Sequence, residues 1–344
     1  MEINYDVAVI GGGPAGNAAS IAAARAGKKV ILFERGRYPR HKVCGEFVSP
    51  ESHHVLVNLL GNDHPLLQTP AMISRARMFA DGRCIEFQLH ERAWSITRHD
   101  LDFALWQAAE QSGVHCKIET KVDSIASDHV ITVGERVNAK TVINASGRWS
   151  NLRRPIKQDG PQLIGLKAHF SGEHAPDSTD IYFFEGGYCG VQPISATAVN
   201  ASAVVQSNVA TSMEEVLAAH PDLWLRSRQW ERITYLVTTS PLIHRAPEPV
   251  TDGVLNVGDA AGFIDPFVGD GISLALRSGV LAAQCAQDPE RYGAEYTSRF
   301  SKAFRTSSAV RRLTQAPHFV RRAAIFAFQS ELLRNYALRR SRAI

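Results

Sequence analysis

A glycine-rich turn near the start of the chain constrains its fold more strongly than any other feature. Residues 11–16, Gly-Gly-Gly-Pro-Ala-Gly, follow the apolar run Tyr5–Ile10 and open an Ala-rich stretch with helical composition. Glycines in this pattern allow a tight turn, close approach of the backbone to a pyrophosphate, and close packing of the helix on the strand. Glu34 ends the next apolar run, 18 residues after Gly16, where a carboxylate can bind a pair of ribose hydroxyls. The first 35 residues therefore predict a dinucleotide-binding β-α-β unit whose helix N-terminus faces the phosphates.

The composition is that of an ordinary globular protein. The chain has 344 residues, 44% hydrophobic and 21% charged, which is enough for about two domains. Its five cysteines are scattered and lack CxxC spacing, and its histidines lack HxxxH or HExxH spacing. We therefore expect neither a disulfide framework nor a metal site. The cysteine pattern also predicts a reducing compartment. The N-terminus has no signal-peptide pattern and no run approaches 18 apolar residues, so we expect a cytoplasmic protein without a membrane span.

The charge is unevenly distributed along the chain. Residues 299–344 contain eleven Arg or Lys and a single acidic residue, Glu331, which gives them a charge of +10. Since the whole chain carries +4, residues 1–298 carry −6. We expect two amphipathic helices in this tail, split near Pro317, and peripheral contact of their basic surface with a membrane or an acidic carrier protein. A solvated helical face is the alternative, and we expect no nucleic-acid partner.

The order of the segments predicts an α/β protein with a discontinuous nucleotide-binding domain. Four strand-like segments separated by Gly, Pro and Ser turns lie in residues 161–245, where they predict an inserted antiparallel sheet; the last of them is residues 230–238. Residues 254–262 then return to a strand followed by a glycine turn. The predicted boundaries are residues 1–71, 94–160 and 246–290 for the Rossmann-type domain, 72–93 and 161–245 for the β-sheet substrate domain, and 291–344 for basic C-terminal helices.

A second glycine motif indicates which dinucleotide is bound. Residues 257–261, Val-Gly-Asp-Ala-Ala, resemble a motif of the flavoprotein superfamily that contains para-hydroxybenzoate hydroxylase and geranylgeranyl reductase. In that superfamily the N-terminal glycine motif binds the ADP half of FAD, and the Gly-Asp motif binds its ribityl and phosphate portion. The resemblance implies FAD, bound by both ends of one GR2-like Rossmann domain. Asp259 is suited to accept a hydroxyl hydrogen bond, although a capped β-α turn is the alternative.

Two further segments match motifs of the same superfamily. Residues 265–273 resemble its Pro-x-x-Gly-Glu-Gly-Ile loop, which lies against the isoalloxazine ring; here Asp270 replaces the usual Glu. Arg98 and Asp102 match its Arg-x-x-(Leu/Phe)-Asp motif, whose Arg lies near the FAD phosphates in relatives. Alternatively, Arg98 caps the sheet edge.

These motifs supply the candidate site residues. The candidate cofactor-binding residues are Gly11, Gly13, Pro14, Ala15, Gly16, Glu34, Arg35, Cys44, Gly45, Arg98, Val122, Gly147, Gly258, Asp259, Gly269, Gly271 and Ile272. The candidate catalytic residues are Cys44, Tyr188 and Asp270.

The motifs that separate the subfamilies disagree with one another. Residues 41–50, His-Lys-Val-Cys-Gly-Glu-Phe-Val-Ser-Pro, mix the Lys-x-Cys-Gly-Gly-x-x-Ser-Pro of geranylgeranyl reductases with the Gly-Glu-Ser-x-x-Pro of halogenases. Cys44 could tune the flavin, donate a proton or pack as a small apolar residue. The reductases' Tyr-x-Trp-x-Phe-Pro reads here as residues 188–193, in which Gly190 and Gln192 replace both aromatics, which would open the cavity.

Other subfamily motifs are altered or missing. The Asp-Gly of hydroxylases is replaced by Ser146-Gly147, which argues against a standard aromatic hydroxylase. The Trp-x-Trp-x-Ile-Pro of halogenases is absent, and the region after Pro50 offers Arg75 and Arg77 where a catalytic Lys is expected.

We therefore expect an FAD-dependent oxidoreductase that transfers a hydride at flavin N5 to or from a lipid- or polyketide-like small molecule. The alternative is a monooxygenase that activates oxygen at flavin C4a, and less favoured are a halogenase and an electron-transfer flavoprotein. The single GxGxxG motif leaves no second nucleotide site, so either NAD(P)H would bind transiently as electron donor or the electrons would come from another donor.

Overall fold

The computed structural model describes residues 5–148, 151–152, 162–172 and 176–314, which form two large β-sheets and eight α-helices. The helices are α1 (Pro14–Arg25), α2 (His53–Leu60), α3 (Pro65–Gln68), α4 (Arg98–Gln111), α5 (Met213–Ala218), α6 (Pro221–Ser227), α7 (Gly271–Gln284) and α8 (Pro289–Thr314). The strands are β1 (Tyr5–Ile10), β2 (Val30–Phe33), β3 (Phe47–Val48), β4 (Ala71–Ala80), β5 (Arg83–Ser95), β6 (His115–Lys117), β7 (Val122–Ile125), β8 (His129–Thr132), β9 (Glu135–Asn144), β10 (Leu163–Ser171), β11 (Ser178–Phe184), β12 (Gly187–Pro193), β13 (Ala198–Gln206), β14 (Glu231–Arg232), β15 (Val237–Thr239), β16 (Val250–Thr251) and β17 (Val254–Asn256).

The first sheet is built around the N-terminal β-α-β unit. Its main path is β16-β17-β9-β1-β2-β6, and β1 pairs in parallel with β2 and β9. The apolar runs of β1 and β2 are buried on both faces, as expected of a parallel sheet covered by helices. Strand β17 joins β9 in parallel, so the chain returns to this sheet after more than 100 residues elsewhere. The mixed α/β architecture predicted from the sequence is confirmed.

The second sheet departs from the prediction in the direction of one strand. Its main path is β14-β10-β13-β12-β11-β4-β5-β3, and β15 also pairs with β10. Most neighbours are antiparallel, but β11 pairs in parallel with β4, so the sheet is mixed rather than antiparallel. Parallel pairing is possible because the chain makes a long excursion between these strands, far longer than a hairpin allows.

Two local differences accompany the second sheet. The strand expected over residues 230–238 is two short strands, β14 and β15, separated by residues 233–236. Ile233 and Tyr235 in that segment are exposed, whereas Thr234 and Leu236 are partly buried, so the segment keeps an alternating pattern although it is not a regular strand. In addition, β3 pairs with β5, although residues 47–48 belong to the predicted nucleotide-binding segment.

Helices cover the first sheet and extend toward the basic tail. The helices α1 and α7 pack directly on each other, where Gly279 of α7 faces the backbone of Ala15. Helix α8 buries Tyr292, Tyr296 and Phe300 at helical spacing. The predicted helix break near Pro317 lies outside the described residues. Among the described residues no helix combines the length and apolarity that crossing a bilayer requires.

Candidate functional site

A cavity of about 530 Å³ brings the predicted cofactor residues together. All of them except Gly16 line it, from the glycine turn after β1 to the loop before α7. Loops at the carboxyl ends of the parallel strands form one wall, which is where open α/β sheets bind ligands. Ser202 and Val204 of β13 belong to the opposite wall, so the cavity lies between the two sheets.

The geometry of the glycine turn explains its sequence. Gly11 has φ of +102°, and a Cβ there would lie 2.4 Å from the carbonyl oxygen of Ala145. A Cβ on Gly16 would lie 1.8 Å from the carbonyl oxygen of Gly11. Gly16 therefore acts through helix-strand packing, which accounts for its position outside the cavity lining.

The N-terminus of α1 is an anion-binding position. Gly13 precedes the helix, and no side chain in the described part of the chain caps its first turn. A Cβ on Gly13 would lie 3.9 Å from Lys42 Nζ and 4.0 Å from Arg98 Nη2. Free N–H groups and two cations around an open cradle fit a pyrophosphate. Arg98 was predicted from its motif, whereas sequence reasoning missed Lys42.

Asp102 holds both of these cations in place. Arg98 donates Nε and Nη2 to the two carboxylate oxygens, each at 2.7 Å, and Lys42 Nζ lies 2.8 Å from Oδ2. Burial would raise the pKa of Asp102, but Arg98 and Lys42 outweigh it and lower that pKa to about 2. The cavity position of Arg98 agrees with the motif-based prediction rather than with a cap on the sheet edge.

Glu34 is a buried carboxylate that organises the turn. Its Oε2 accepts a hydrogen bond from the Gly12 N–H at 2.9 Å, and its Oε1 accepts one from Gly36 N–H at 2.8 Å. Arg40 Nη2 donates to the same Oε1 at 2.8 Å. Burial opposes ionisation, yet Lys42 and Arg40 lower the pKa of Glu34. Because Glu34 also lines the cavity, its ionised carboxylate is placed to accept bonds from a ligand, as the ribose prediction requires.

The second glycine motif adds another charged pair to the cavity. Asp259 lines it, and Arg148 Nε lies 3.5 Å from its Oδ2. Burial raises the pKa of Asp259. The Arg148 guanidinium lies 4.4 Å over the ring of Phe263, and its buried Nη1 has no partner among the described residues. An unpartnered donor on the cavity wall fits a polar group of a ligand. Sequence reasoning did not single out Arg148, although it directly follows Gly147.

Open space along the cavity is consistent with an extended flavin nucleotide. A Cβ on Gly45, Gly147 or Gly271 would meet no atom within 4 Å in the described part of the structure. Together with the cradle at Gly13 and the unpartnered Arg148 donor, these positions fit FAD. The glycine turn, Lys42 and Arg98 would hold its phosphates, Glu34 its ribose, and Asp259 with Arg148 its ribityl portion.

Two predicted catalytic residues lie outside the cavity lining. Asp270 is buried at the start of α7 and accepts a hydrogen bond from Ser49 Oγ at 3.1 Å. The Tyr188 hydroxyl donates to Asp265 Oδ1 at 3.4 Å, and its ring packs edge-on against Phe267. Burial raises the pKa of Tyr188 well above its usual range. The structure places both side chains in supporting positions, and their catalytic roles stay predictions.

Cys44 lies on the cavity wall, as predicted. Its Sγ accepts a hydrogen bond from the Glu46 N–H at 3.3 Å. Burial raises the pKa of the thiol, so it is protonated at neutral pH. Asn200 Nδ2 donates to the carbonyl oxygens of Cys44 and Gly45, at 3.1 and 3.0 Å.

A cluster of charged residues lies behind Cys44. Glu46 Oε1 accepts a hydrogen bond from Lys167 Nζ at 2.7 Å, and Glu46 Oε2 lies 2.8 Å from His169 Nε2. With His41 and His169 it forms a group of potential metal ligands within 4.8 Å of one another. The Lys167 ammonium already supplies the positive charge in this group, which disfavours a metal ion. Burial and Lys167 lower the pKa of His41 to about 4.

Comparison with known proteins bears on the cofactor and the class of reaction. Residues 6–148 match the family model described as FAD dependent oxidoreductase. A digeranylgeranylglycerophospholipid reductase from Picrophilus torridus is 28% identical, with 88% of this chain and 83% of the relative covered. A menaquinone reductase from Mycolicibacterium smegmatis is 25% identical, with 83% and 76% covered.

Among solved structures, a flavin-dependent brominase superposes with a TM-score of 0.83. It is 21% identical, and the superposition covers 98% of this chain and 93% of the brominase. At that identity the similarity concerns the fold. Together these matches confirm the predicted resemblance to FAD-dependent oxidoreductases and support FAD as the cofactor.

Proposed function

We propose that this FAD-dependent oxidoreductase reduces an unsaturated, lipid- or polyketide-like small molecule by transfer of a hydride and a proton. The observation that carries the proposal is the half-buried Cys44 thiol on the wall of the cavity that the cofactor residues line. Reduced FAD would supply the hydride at N5. Cys44 Sγ would give its proton to the neighbouring carbon and regain one from solvent, which balances a two-electron reduction of a double bond.

The second wall of the cavity suggests what the substrate is like. Val204, Val237 and Leu242 supply apolar surface, and Ser202 and Thr239 supply hydroxyl groups. Because hydroxyl groups alternate with apolar side chains on this wall, a substrate with polar groups fits better than a purely hydrocarbon isoprenoid chain. The names of the two reductase relatives support reduction as the reaction type. The substrates in those names are more apolar than this wall favours.

Halogenation is the competing proposal, favoured by the fold of the brominase. It requires a lysine at the substrate end of the cavity. Among the described lining residues the lysines are Lys42 and Lys121. Lys42 contacts Asp102 of α4, and Lys121 contacts Asp123 of β7. Both lysines therefore lie on the side of the cavity that the nucleotide-binding elements form. This arrangement favours the reductase.

The electron donor and the location are part of the proposal. We propose that NAD(P)H binds transiently, because the single glycine motif is assigned to FAD. We also propose that the protein is cytoplasmic and that its basic tail makes peripheral contact with a membrane or an acidic carrier protein.

The test starts from FAD-loaded protein under anaerobic conditions. NADPH is added, flavin bleaching is followed, and a panel of unsaturated lipids and polyketide-like enones is supplied in deuterated water. The expected result is flavin reoxidation with solvent deuterium in the product at the carbon that receives the proton. Cys44→Ala should retain reduction by NADPH and lose most of the product formation.

Two results would overturn the reductase proposal. The first is fast reoxidation by oxygen with an oxygen atom in the product, which indicates a hydroxylase. The second is a halogenated product when bromide and oxygen are supplied, which indicates a halogenase.

A further inference from the structure

The loop that carries Cys44 is held by the second sheet as well as by its own neighbours. Gly45 is exposed, and a Cβ on it would meet no described atom within 4 Å. From the second sheet, Asn200 Nδ2 donates to the carbonyl oxygens of both Cys44 and Gly45. The position of the thiol therefore depends on residues far away in the sequence.

Glu46 ends this loop in an unusual backbone conformation. Its φ is +62°, a left-handed conformation that a glutamate adopts at a cost in free energy. Its side chain is fully buried, and Oε1 accepts both Lys167 Nζ at 2.7 Å and the Arg98 backbone N–H at 2.8 Å. Its Oε2 contacts His169 Nε2 at 2.8 Å. Both carboxylate oxygens are thus occupied, which fixes the orientation of the residue.

Lys167, His169 and Asn200 act from one rigid surface. Lys167 and His169 alternate on β10, and His169 pairs directly with Asn200 of β13. The residues between them, such as Ala168 and Ala201, belong to the apolar core on the other face of the sheet. The Lys167–Glu46 pair is completely excluded from solvent. Such a pair adds little net stability, so its effect on geometry is the better explanation for it.

We propose that Glu46 is a positioning residue that, clamped by Lys167 and His169, holds the Cys44 thiol at the cavity wall. The proposal rests on the proposed role of Cys44 as proton donor. The link is direct, because the Glu46 N–H donates to Cys44 Sγ at 3.3 Å. If the clamp is removed, Glu46 can leave its left-handed conformation, the N–H moves away from the sulfur, and the loop opens to solvent.

The test measures the reactivity of Cys44 in FAD-loaded protein without substrate. Iodoacetamide labelling is followed at the Cys44 peptide by mass spectrometry from pH 6 to pH 10. The main variant is Glu46→Gln with Lys167→Met, which removes both charges and leaves no lone buried ion. We expect labelling at pH 8 to be faster by about tenfold or more, with a lower pH midpoint, since the thiol gains solvent.

The matched control is Asp180→Asn with Arg77→Met. Asp180 is buried and Arg77 is partly exposed; they form another ion pair within the second sheet, away from the Cys44 loop, and Arg226 also contacts Asp180. The rate of Cys44 labelling in this control variant should stay within about twofold of the wild-type rate. A third variant, His169→Gln, keeps the ion pair and removes one contact, so an intermediate increase is expected even if the main variant folds poorly.

Unchanged Cys44 labelling in folded Glu46→Gln/Lys167→Met and in His169→Gln would overturn the proposal. Equal increases in the Asp180→Asn/Arg77→Met control would also overturn it, because they would indicate general loosening. Since labelling needs no turnover, a failure of the reductase assay is distinguishable from a failure of the clamp.

Discussion

Two buried carboxylates, Glu34 and Asp102, stay ionised beside the glycine turn because cations converge on them. Lys42 and Arg40 lower the pKa of Glu34, and Arg98 and Lys42 lower that of Asp102. Two of these cations, Lys42 and Arg98, face the cradle at Gly13. Each carboxylate therefore does two things: it balances the charge of neighbouring cations, and it fixes their orientation.

The lowered pKa of Asp102 predicts that the free energy of unfolding decreases at acid pH. Its pKa is about 2 in the folded protein and 3.8 in the unfolded chain, so its contribution is complete above pH 4 and is lost as the pH falls toward 2. The pKa difference corresponds to about 2 kcal/mol. Asp102→Asn should lower the free energy of unfolding at pH 7 by about 3 kcal/mol, because two buried cations lose their partner. The Asp102→Asn variant should also show a smaller change in the free energy of unfolding between pH 4 and pH 2 than the wild type.

Urea unfolding at a series of pH values measures both effects. Glu135→Gln, which removes an exposed partner of Lys117, should change the unfolding free energy by less than about 0.5 kcal/mol. An Asp102→Asn protein with wild-type stability at pH 7 would contradict this account.

The position of Lys42 predicts that its ammonium group strengthens FAD binding. Lys42→Met removes a cation that faces the α1 N-terminus, while Asp102 keeps its paired bonds from Arg98. We expect the Kd for FAD to rise about tenfold, because a charge-assisted contact to phosphate is lost. Flavin fluorescence quenching on titration into apoprotein measures the Kd. Lys140→Met, at an exposed pair with Asp6, should leave the Kd unchanged, and equal Kd values for both variants would disprove the assignment.

Among the elements, the packing of α1 on α7 decides whether the glycine turn keeps its shape. The two helices come together where a Cβ on Gly279 would lie 2.2 Å from the carbonyl oxygen of Ala15. Ala15 is in the first turn of α1 and lines the cavity. Any change that separates the helices therefore acts on the end of the cavity formed by the glycine turn.

Gly279→Ala tests this packing. The added methyl cannot be accommodated without moving α1, so we expect a loss of about 2 kcal/mol in unfolding free energy together with weaker FAD binding. Gly293→Ala in α8 is the matched control, because its Cβ would meet only Val250 Cγ2, at an ordinary 3.6 Å. That change should be neutral or stabilising by about 0.5 kcal/mol, as expected of Gly→Ala in a helix. Chemical unfolding and FAD titration of both variants give the answer, and a Gly279→Ala protein of wild-type stability would refute it.

Considered as a whole molecule, the chain encloses its cavity between two sheets and concentrates positive charge at one end. The first sheet supplies the nucleotide-binding loops, and the second supplies the wall behind Cys44. The basic tail lies in the last 46 residues, of which the structure describes those up to 314. Its charge is a property of the sequence and needs no structural detail.

Deletion of residues 318–344 tests the role of the tail. The deletion removes six arginines and one glutamate, so binding to anionic vesicles should weaken strongly at low salt. Co-sedimentation with phosphatidylglycerol vesicles at 50 and 300 mM salt measures this, and neutral vesicles are the control. Unchanged vesicle and acidic-carrier binding after the deletion would leave the tail as a solvated surface.

The nucleotide-binding features could be predicted because they are local in the sequence. The turn at residues 11–16 needs glycines at positions set by its own backbone, and the strand, helix and acid follow within 35 residues. The direction of β11 could not be predicted, because it depends on how the chain returns after a long excursion. Likewise, Lys42 belongs to the motif of residues 41–50 and Arg148 directly follows Gly147, but neither motif shows that its cation faces a cavity.

From the sequence alone came the glycine turn typical of a dinucleotide-binding unit, the α/β class and Cys44 as a candidate site residue. The tertiary structure alone decided which charges face the cavity and what holds Cys44 there. Glu46 and Lys167 are 121 residues apart, and Glu46 and His169 are 123 residues apart. Such contacts leave no periodicity or spacing in a single sequence, since they arise only when segments far apart in the chain come together in the folded protein.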